Sequence, residues 1–205
     1  MFLKMGLFKV KLLVLLLTLI GCNESSRNPI NMFSSKTSKH IFILPLGKID
    51  ANAVDVINDS LQKRFSKVTV LPREAFPMMA FNKHRNRYRA DSLLKWMRKR
   101  VGKNETYVGI TTEDISVTKG AIADFGVMGL GYQPGTSCIA SSYRLKNKKA
   151  FFKLVIHELG HTTGLPHCPT KYCYMRDANG SDITKSLVDF CGRCKKHLLD
   201  KGWRI

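Results

Sequence analysis

The stretch that most constrains this chain is 157–167, which reads HELGHTTGLPH. Its pattern, HExxHxxGxxH, is typical of a helix and a following turn that together present three imidazoles to one zinc ion. Residues four apart lie one turn above each other on a helix, so His157 and His161 can bind the same ion. Gly164 tolerates the left-handed conformation that ends a helix sharply, and the chain can then bring His167 back to the ion.

Three protein ligands leave the fourth position of a zinc ion open for water, which separates a catalytic zinc site from a closed structural one. Glu158 lies beside that open position. It is placed to accept a proton from a water molecule that the zinc activates, and to pass the proton to a leaving amine. The apolar residues at 151–156 supply the helix that the motif requires. The sequence therefore predicts a catalytic zinc with Glu158 as the general base.

Four cysteines follow the three histidines and form two close pairs, C-x4-C and C-x2-C. They are Cys168, Cys173, Cys191 and Cys194. Paired spacing of this kind is the form of a zinc site, and four thiolates would close that site and give it a role in folding. The alternative is a pair of disulfides in an exported protein. Cys138 has no partner in the sequence and is predicted to be a buried free thiol.

Taken together, HELGHTTGLPHC, CYM and FCGRC over residues 157–194 resemble the signature of the archaemetzincins, a family of zinc metallopeptidases. One spacing departs from that signature by two residues, because fifteen residues separate Met175 from Cys191. The resemblance implies two zinc ions per chain, a catalytic one held by His157, His161 and His167 and a structural one held by the four cysteines. It also implies that Met175 is the Met-turn residue beneath the imidazoles. By residue type alone, Met175 could equally be a gap-filling core methionine.

The rest of the sequence predicts an α/β (α+β mixed) metzincin-like single domain at 40–205, with a mixed twisted sheet of about five strands. Strands are expected at 40–49, 67–71, 105–117, 122–131 and 137–144. Helices are expected at 54–65, 88–101, 148–163 and 182–199. The glycine-rich segment 123–132 resembles the upper-rim strand that lies antiparallel to bound peptide in metzincins. The alternative is an edge strand whose glycines relieve crowding.

The amino-terminal segment predicts export. Lysines precede a short apolar run at 12–20, and Leu19-Ile20-Gly21-Cys22 has the form of a bacterial lipobox. The run is shorter than the roughly 20 apolar residues of a membrane-spanning helix, so residues 1–21 are predicted to be a cleaved lipoprotein-type signal peptide. Cys22 would be lipidated, and 22–39 would be a flexible tether. An uncleaved anchor and a generic secretory signal are the alternatives.

The net positive charge of the chain indicates which kinds of binding partner to consider. The chain carries a formal charge of +19, with basic residues concentrated at 83–103. That region is interpreted either as a solvated face or as a surface that attracts anionic headgroups. Nucleic acid is not expected, because no recognisable base-stacking module accompanies the charges. The expected form is a monomer, lipid-anchored through Cys22 to the periplasmic or cell-surface side of a bacterial membrane.

These features predict a zinc metallopeptidase that hydrolyses peptide bonds in a peptide or protein substrate, with aminopeptidase and endopeptidase action both left open. The alternative is a lipid-anchored zinc protein that binds a peptide or protein partner without turnover. Glu158 favours the enzyme, because a site used only for binding has no need of a carboxylate next to His157.

Overall fold

The computed structural model describes residues 39–205. The predicted signal peptide at 1–21, the lipidation site Cys22 and all but the last residue of the tether lie outside the described residues. In chain order, the helices and strands are β1 (His40–Leu46), α1 (Ala51–Gln62), β2 (Lys67–Val70), β3 (Phe81–Asn82), β4 (Arg87–Arg89), α2 (Ala90–Arg98), β5 (Glu105–Thr111), β6 (Ile115–Lys119), β7 (Ile122–Val127), β8 (Gly129–Gly131), β9 (Ser137–Ser141), α3 (Phe151–Thr162) and α4 (Gly192–Asp200). Within 39–205, no helix has the length and apolarity needed to cross a bilayer.

The main sheet has the strand order β2-β1-β5-β9-β8. The first four strands are mutually parallel, and β8 pairs antiparallel to β9 at the edge. Side chains of β1 alternate between the two faces. Ile41 and Ile43 pack into a core with α1 and α3, whereas Leu44 and Leu46 pack into a second core with α2. A parallel sheet covered on both faces explains why its strands read as nearly continuous apolar runs. The predicted mixed α/β domain is confirmed.

A second, smaller sheet has the order β3-β4-β6-β7, and the predicted strands did not separate it from the first. The predicted strand at 105–117 is two strands, β5 in the main sheet and β6 in the small one. The turn between them begins where the hydroxyl of Thr111 accepts a hydrogen bond from the Glu113 N–H. The predicted strand at 122–131 is likewise divided at Met128, into β7 and β8. The prediction of one continuous strand was wrong in both places, because an apolar run does not show where the chain passes from one sheet to another.

Ion pairs stabilise the small sheet and neutralise some of the basic residues at 83–103. Arg87 lies 3.2 Å from Asp114 and 3.7 Å from Asp124, and Arg89 lies 3.6 Å from Asp124. By contrast, Arg98 on the outer side of α2 is exposed. The basic region is therefore divided between internal pairing and a solvated helix face.

The predicted helix at 182–199 was wrong over its first half, since α4 begins only at Gly192. The carboxylate of Asp182 accepts hydrogen bonds from the backbone N–H of Thr184 at 3.0 Å and of Lys146 at 2.8 Å. Asp189 accepts a hydrogen bond from the Phe190 N–H at 2.8 Å. Short polar side chains that bind nearby backbone in this way compete with helix formation. The segment before α4 is consequently a loop anchored by two aspartates.

Strand β8 and the Met175 side chain approach the backbone of α3 from two sides, and glycines lie at both contacts. A Cβ atom on Gly131 of β8 would lie 2.5 Å from the backbone oxygen of Glu158, and one on Gly160 would lie 2.5 Å from the sulfur of Met175. A Cβ on Gly129 would overlap the carboxylate of Glu158. The glycines of the edge strand thus relieve crowding against α3.

Replacing Gly131 with alanine should reduce stability. The added methyl group meets backbone rather than a movable side chain, and overpacking of this kind costs about 1–3 kcal/mol. Gly192→Ala is the matched control, because a Cβ there meets nothing within 4 Å. Urea denaturation should give a lower free energy of unfolding for Gly131→Ala and a change of about 0.5 kcal/mol or less for Gly192→Ala. Equal stabilities for the two variants would contradict this packing.

Candidate metal centres

Helix α3 and the turn after it bring the three predicted histidines together. His157 and His161 lie one turn apart on α3, and their Nε2 atoms are 3.0 Å from each other. The helix ends at Thr162, and the chain turns at Gly164, whose φ of 97° lies in the left-handed region. His167 follows, and one nitrogen from each ring lies within 4.8 Å of the others. A tetrahedral ion with Zn–N distances of about 2.0–2.1 Å needs nitrogens about 3.3–3.4 Å apart, so the three imidazoles fit one zinc.

Backbone carbonyls orient two of the rings. The Nδ1 atom of His157 lies 2.6 Å from the Tyr174 oxygen, and that of His161 lies 2.7 Å from the Leu165 oxygen. A carbonyl oxygen can only accept, so each Nδ1 donates a proton and each Nε2 keeps a free lone pair for a metal. Burial, together with the neighbouring imidazoles, lowers the pKa of His157 to about 3. His157 is therefore neutral at physiological pH, as a ligand must be.

The third histidine has a carboxylate partner that the sequence analysis missed. The Nδ1 atom of His167 lies 3.4 Å from a carboxylate oxygen of Asp177, and both side chains are about half exposed. A carboxylate behind a ligating imidazole fixes the orientation of the ring. Asp177 lies in an irregular loop, and nothing in its sequence spacing signals the contact.

Met175 is fully buried and lies against α3 at Gly160, next to the second histidine. The preceding residue, Tyr174, supplies the carbonyl that orients His157. One short turn therefore sets the direction of an imidazole and fills the space beneath the helix. The Met-turn and core-methionine interpretations describe the same packing.

Glu158 faces the edge strand β8 and is only 6% exposed. Burial raises the pKa of Glu158 to about 8, because the charged carboxylate loses its hydration. A cation held by the neighbouring histidines would favour the charged form and offset part of that rise. With His157 and His167, Glu158 lines a cleft of about 200 Å³. We call this space the cleft below.

The four predicted cysteines converge on one point, with their sulfur atoms within 4.8 Å of one another. The sulfurs of Cys168 and Cys191 are 3.7 Å apart. A tetrahedron with Zn–S distances of about 2.3 Å has edges of about 3.8 Å, whereas a disulfide needs sulfurs about 2.05 Å apart. The arrangement therefore fits a closed zinc site rather than two disulfides. Cys138 is a buried free thiol outside this cluster, as predicted.

Hydrogen bonds favour the thiolate form at two of the four cysteines, Cys168 and Cys173. The sulfur of Cys173 accepts from the backbone N–H of Met175 and of Cys191, at 3.5 Å and 3.4 Å. Partial burial alone would raise the pKa of Cys168, but hydrogen bonds from Thr170 and Arg193 lower it to about 6. By contrast, burial raises the pKa of Cys173 and of Cys194, so these two sulfurs become thiolates only when a cation is bound.

An HExxH helix, a third histidine after a glycine turn, a buried methionine beneath them and an open cleft with a glutamate define the metzincin class of zinc metallopeptidases. Comparison with known proteins identifies the family. The family model described as Peptidase family M54 matches residues 51–200. The chain belongs to this family, the archaemetzincins, and the resemblance drawn from its motifs is confirmed.

The alignments with this chain cover nearly the whole length of each relative. The archaemetzincin of Haloarcula marismortui is 29% identical over 177 residues, which cover 78% of this chain and 99% of that protein. The archaemetzincin of Archaeoglobus fulgidus is 31% identical over 162 residues, covering 75% of this chain and 95% of the relative. The crystal structure of archaemetzincin from Methanopyrus kandleri aligns with a TM-score of 0.66 and 27% identity, covering 80% of this chain and 96% of that one. The chain is accordingly a zinc metallopeptidase with a three-histidine and a four-cysteine metal-binding group, consistent with two zinc ions.

Serine at Cys191 should weaken the four-cysteine centre. Serine is a poorer zinc ligand, and the binding energy of a closed zinc site is also folding energy, so we expect a loss of about 2 kcal/mol or more in stability. Elemental analysis should show less than two zinc ions per chain, and thermal unfolding should begin earlier. Cys138→Ala, which removes a thiol outside the cluster, should keep both ions. Two tightly held ions and unchanged stability in Cys191→Ser would contradict a structural four-thiolate site.

Proposed function

We propose that the protein hydrolyses peptide bonds in the cleft, with His157, His161 and His167 as the ligands of the catalytic zinc and Glu158 as the general base. The observation that carries this proposal is the buried carboxylate of Glu158 beside three converging imidazoles in an open cleft. A site for binding alone gains nothing from a carboxylate buried there, because burial of a charge is costly.

A bound zinc supplies a positive charge that polarises the scissile carbonyl and makes water a stronger acid. The protein supplies the proton transfers. Glu158 accepts the proton of the attacking water: burial raises its pKa and so makes it a stronger base than an exposed carboxylate, while a cation held by the histidines would keep it ionised. The same group then donates that proton to the departing amine. His157 and His161 stay fixed throughout by their carbonyl partners.

The edge strand β8 is suited to hold the substrate backbone. Met128 and Tyr132 direct their backbone hydrogen bonds toward β9. Because the direction alternates along an antiparallel ladder, Gly129 and Gly131 direct their N–H and C=O groups to the open edge. An extended peptide can add to that edge as a further strand. Following the resemblance to metzincins, we propose an antiparallel alignment.

The four cysteines are proposed to hold a structural zinc that fixes the lower wall of the cleft. Cys168 directly follows His167, and Cys173 lies next to the Tyr174–Met175 turn. The other two ligands are Cys191, at the start of α4, and Cys194 within it. A closed site at this position ties both the third histidine and the methionine turn to α4.

Glu158→Gln should abolish most peptide cleavage. Glutamine keeps the size of the side chain but cannot accept the proton, so we expect a fall of about 10²–10⁴-fold in kcat with both zinc ions retained. Glu74→Gln is the matched control, since it removes only the surface ion pair with Arg100. Cleavage of a mapped peptide should persist in the control. Unchanged cleavage by Glu158→Gln would show that another group is the base.

We further propose that the protein is exported and anchored to a bacterial membrane through a lipid on Cys22. The support is the sequence: basic residues, a short apolar run and a lipobox-like Leu19–Cys22 segment. The exposed cations at the end of α2, Arg98 and the following Lys99, would add a weaker attraction to anionic headgroups.

The two contributions to membrane association can be separated. Acyl burial of about 0.8 kcal/mol per methylene is not screened by salt, so the wild-type chain should stay with membranes in a high-salt wash. Cys22→Ser should release the protein or leave its leader uncleaved. Neutralising Arg98 and Lys99 should change only a salt-sensitive part. Salt-resistant membrane recovery of Cys22→Ser with an intact amino terminus, found by fractionation and mass spectrometry, would point to an uncleaved anchor instead.

A further inference from the structure

A short turn beside helix α2 exposes two neighbouring methionines, which we call the methionine pair. The side chains of Met78 and Met79, in the 3-10 turn Met78–Ala80, are 81% and 67% exposed. Met78 is the most exposed large apolar side chain within residues 39–205. Single exposed apolar residues are ordinary, whereas adjacent ones that project together into water are a feature of interaction surfaces.

The base of the methionine pair is firmly held. Ala80 is fully buried in the core beneath α2, and its N–H donates a hydrogen bond to the Pro77 oxygen at 2.9 Å. Before the turn, the ring of Phe76 stacks on that of Tyr88, with their centroids 3.8 Å apart. The packing of the surrounding residues therefore imposes the exposure of the two methionines.

The outer side of α2 is basic. Leu93, Leu94 and Met97 face the core. At 3.6 residues per turn, the side of the helix opposite these residues carries Lys95 and Lys99. Both lysines are exposed, and within residues 39–205 neither takes part in an ion pair.

The acids near α2 do not neutralise these lysines. In the segment that holds the turn and α2, Glu74 already pairs with Arg100 at 2.9 Å, and Asp91 already pairs with Arg89 at 3.3 Å. The tip of the β3–β4 hairpin, directly after the turn, adds the exposed Lys83. The methionine pair is thus accompanied by positive charge that no carboxylate of this segment offsets.

The turn and α2 expose their outer sides in the same general direction, because both pack on the face of the main sheet opposite α3. Half-buried Trp96 of α2 lies on the flank nearer to the turn, since Arg100, which lies over its ring at 4.6 Å, pairs with Glu74. Tryptophan is enriched where proteins meet the membrane–water interface. We call the combined surface the docking face; it consists of Met78, Met79, Lys83, Lys95, Trp96 and Lys99.

We propose that the docking face binds an anionic phospholipid surface, with the methionine pair inserted at the boundary between headgroups and acyl chains and the lysines against the phosphates. Charge complementarity favours this partner, because cations beside exposed apolar side chains match both layers of such a surface. Docking in this way leaves α3 and both metal centres on the side that faces away from the bilayer. The inference deepens the proposed membrane attachment and rests on it for a membrane close by.

The first test uses a chain that begins at residue 22 and carries Cys22→Ser, so that neither the leader nor a lipid contributes to binding. Zinc content and thermal unfolding check that this chain is folded. Co-sedimentation should show binding to vesicles of phosphatidylglycerol with phosphatidylcholine and little binding to vesicles of phosphatidylcholine alone. Binding should weaken in roughly 0.5 M salt. Equal binding to both kinds of vesicle, or binding to neither, would overturn the docking face.

Variants of the methionine pair test insertion. Met78→Gln combined with Met79→Gln should lower partitioning into anionic vesicles by about 10-fold, because the apolar contribution is lost. Leucine at both positions should preserve partitioning. Val56→Gln is the matched control, because Val56 is 52% exposed on α1, which packs on the opposite face of the main sheet.

Variants of the lysines test the charge. Lys95→Gln combined with Lys99→Gln should lower partitioning by about 10-fold or more. Lys63→Gln combined with Lys185→Gln removes the same charge from exposed positions outside the docking face, and its effect should be much smaller. An equal fall in the two double variants would show attraction to the net charge of the chain alone and would overturn the docking face.

Methionine oxidation in the wild-type protein, recovered from membranes and placed on vesicles, gives a readout without substitutions. Hydrogen peroxide is uncharged, so lipid charge does not change its concentration at the surface. It should convert Met78 and Met79 to sulfoxides more slowly on anionic than on neutral vesicles, as measured by mass spectrometry. Half-buried Met128, beside the cleft, is the internal control and should oxidise at the same rate on both.

The outcomes separate the docking face from the lipid anchor. Equal oxidation of the methionine pair on both kinds of vesicle, with the protein retained on each, would overturn the docking face and leave the anchor standing. Vesicle docking by a chain whose Cys22 proves unmodified would refute the anchor and support the docking face. Tight binding of heparin that ignores the methionine substitutions would assign the cations to a soluble polyanion and would also overturn the proposal.

Discussion

The structure depends on one close packing arrangement, in which helix α3 is held between the edge strand β8 and the Met175 turn. Without side chains at Gly131 and Gly160, the strand and the methionine approach the helix backbone directly. That closeness places the open edge of β8 beside Glu158 and the Tyr174 carbonyl beside His157. The polar face of α3 can therefore lie inside the core, because each buried imidazole already has a partner.

The two metal centres share a short stretch of chain and are mechanically linked. His167 and Cys168 are adjacent, and Cys173 precedes the turn that orients His157 and contacts α3. The sulfur of Cys173 also accepts a hydrogen bond from the backbone N–H of Met175. Loosening the cysteine cluster would therefore move a histidine ligand and the carbonyl that orients another. The proposed role of the closed centre is therefore to support catalysis by holding the lower wall of the cleft in place.

The sequence predicted the parts of the fold and site that local spacing determines. Helical periodicity was enough to place His157 and His161 on one face, and the glycine at 164 was enough to place a sharp turn. Contacts between distant segments were not predictable in this way. The divisions at Thr111 and Met128 depend on which sheet each strand joins, and the loop before α4 depends on aspartates binding nearby backbone. Asp177 comes from a loop whose position only the tertiary structure determines.

We expect this chain to hold one open zinc site of nitrogen ligands and one closed zinc site of sulfur ligands. X-ray absorption at the zinc edge, combined with elemental analysis of the purified wild-type protein, tests this most directly. The expected result is two zinc ions per chain and, on average, equal numbers of light ligands at about 2.0–2.1 Å and sulfur ligands at about 2.3 Å. A single zinc without sulfur ligands, accompanied by a protein mass that shows disulfides, would contradict it.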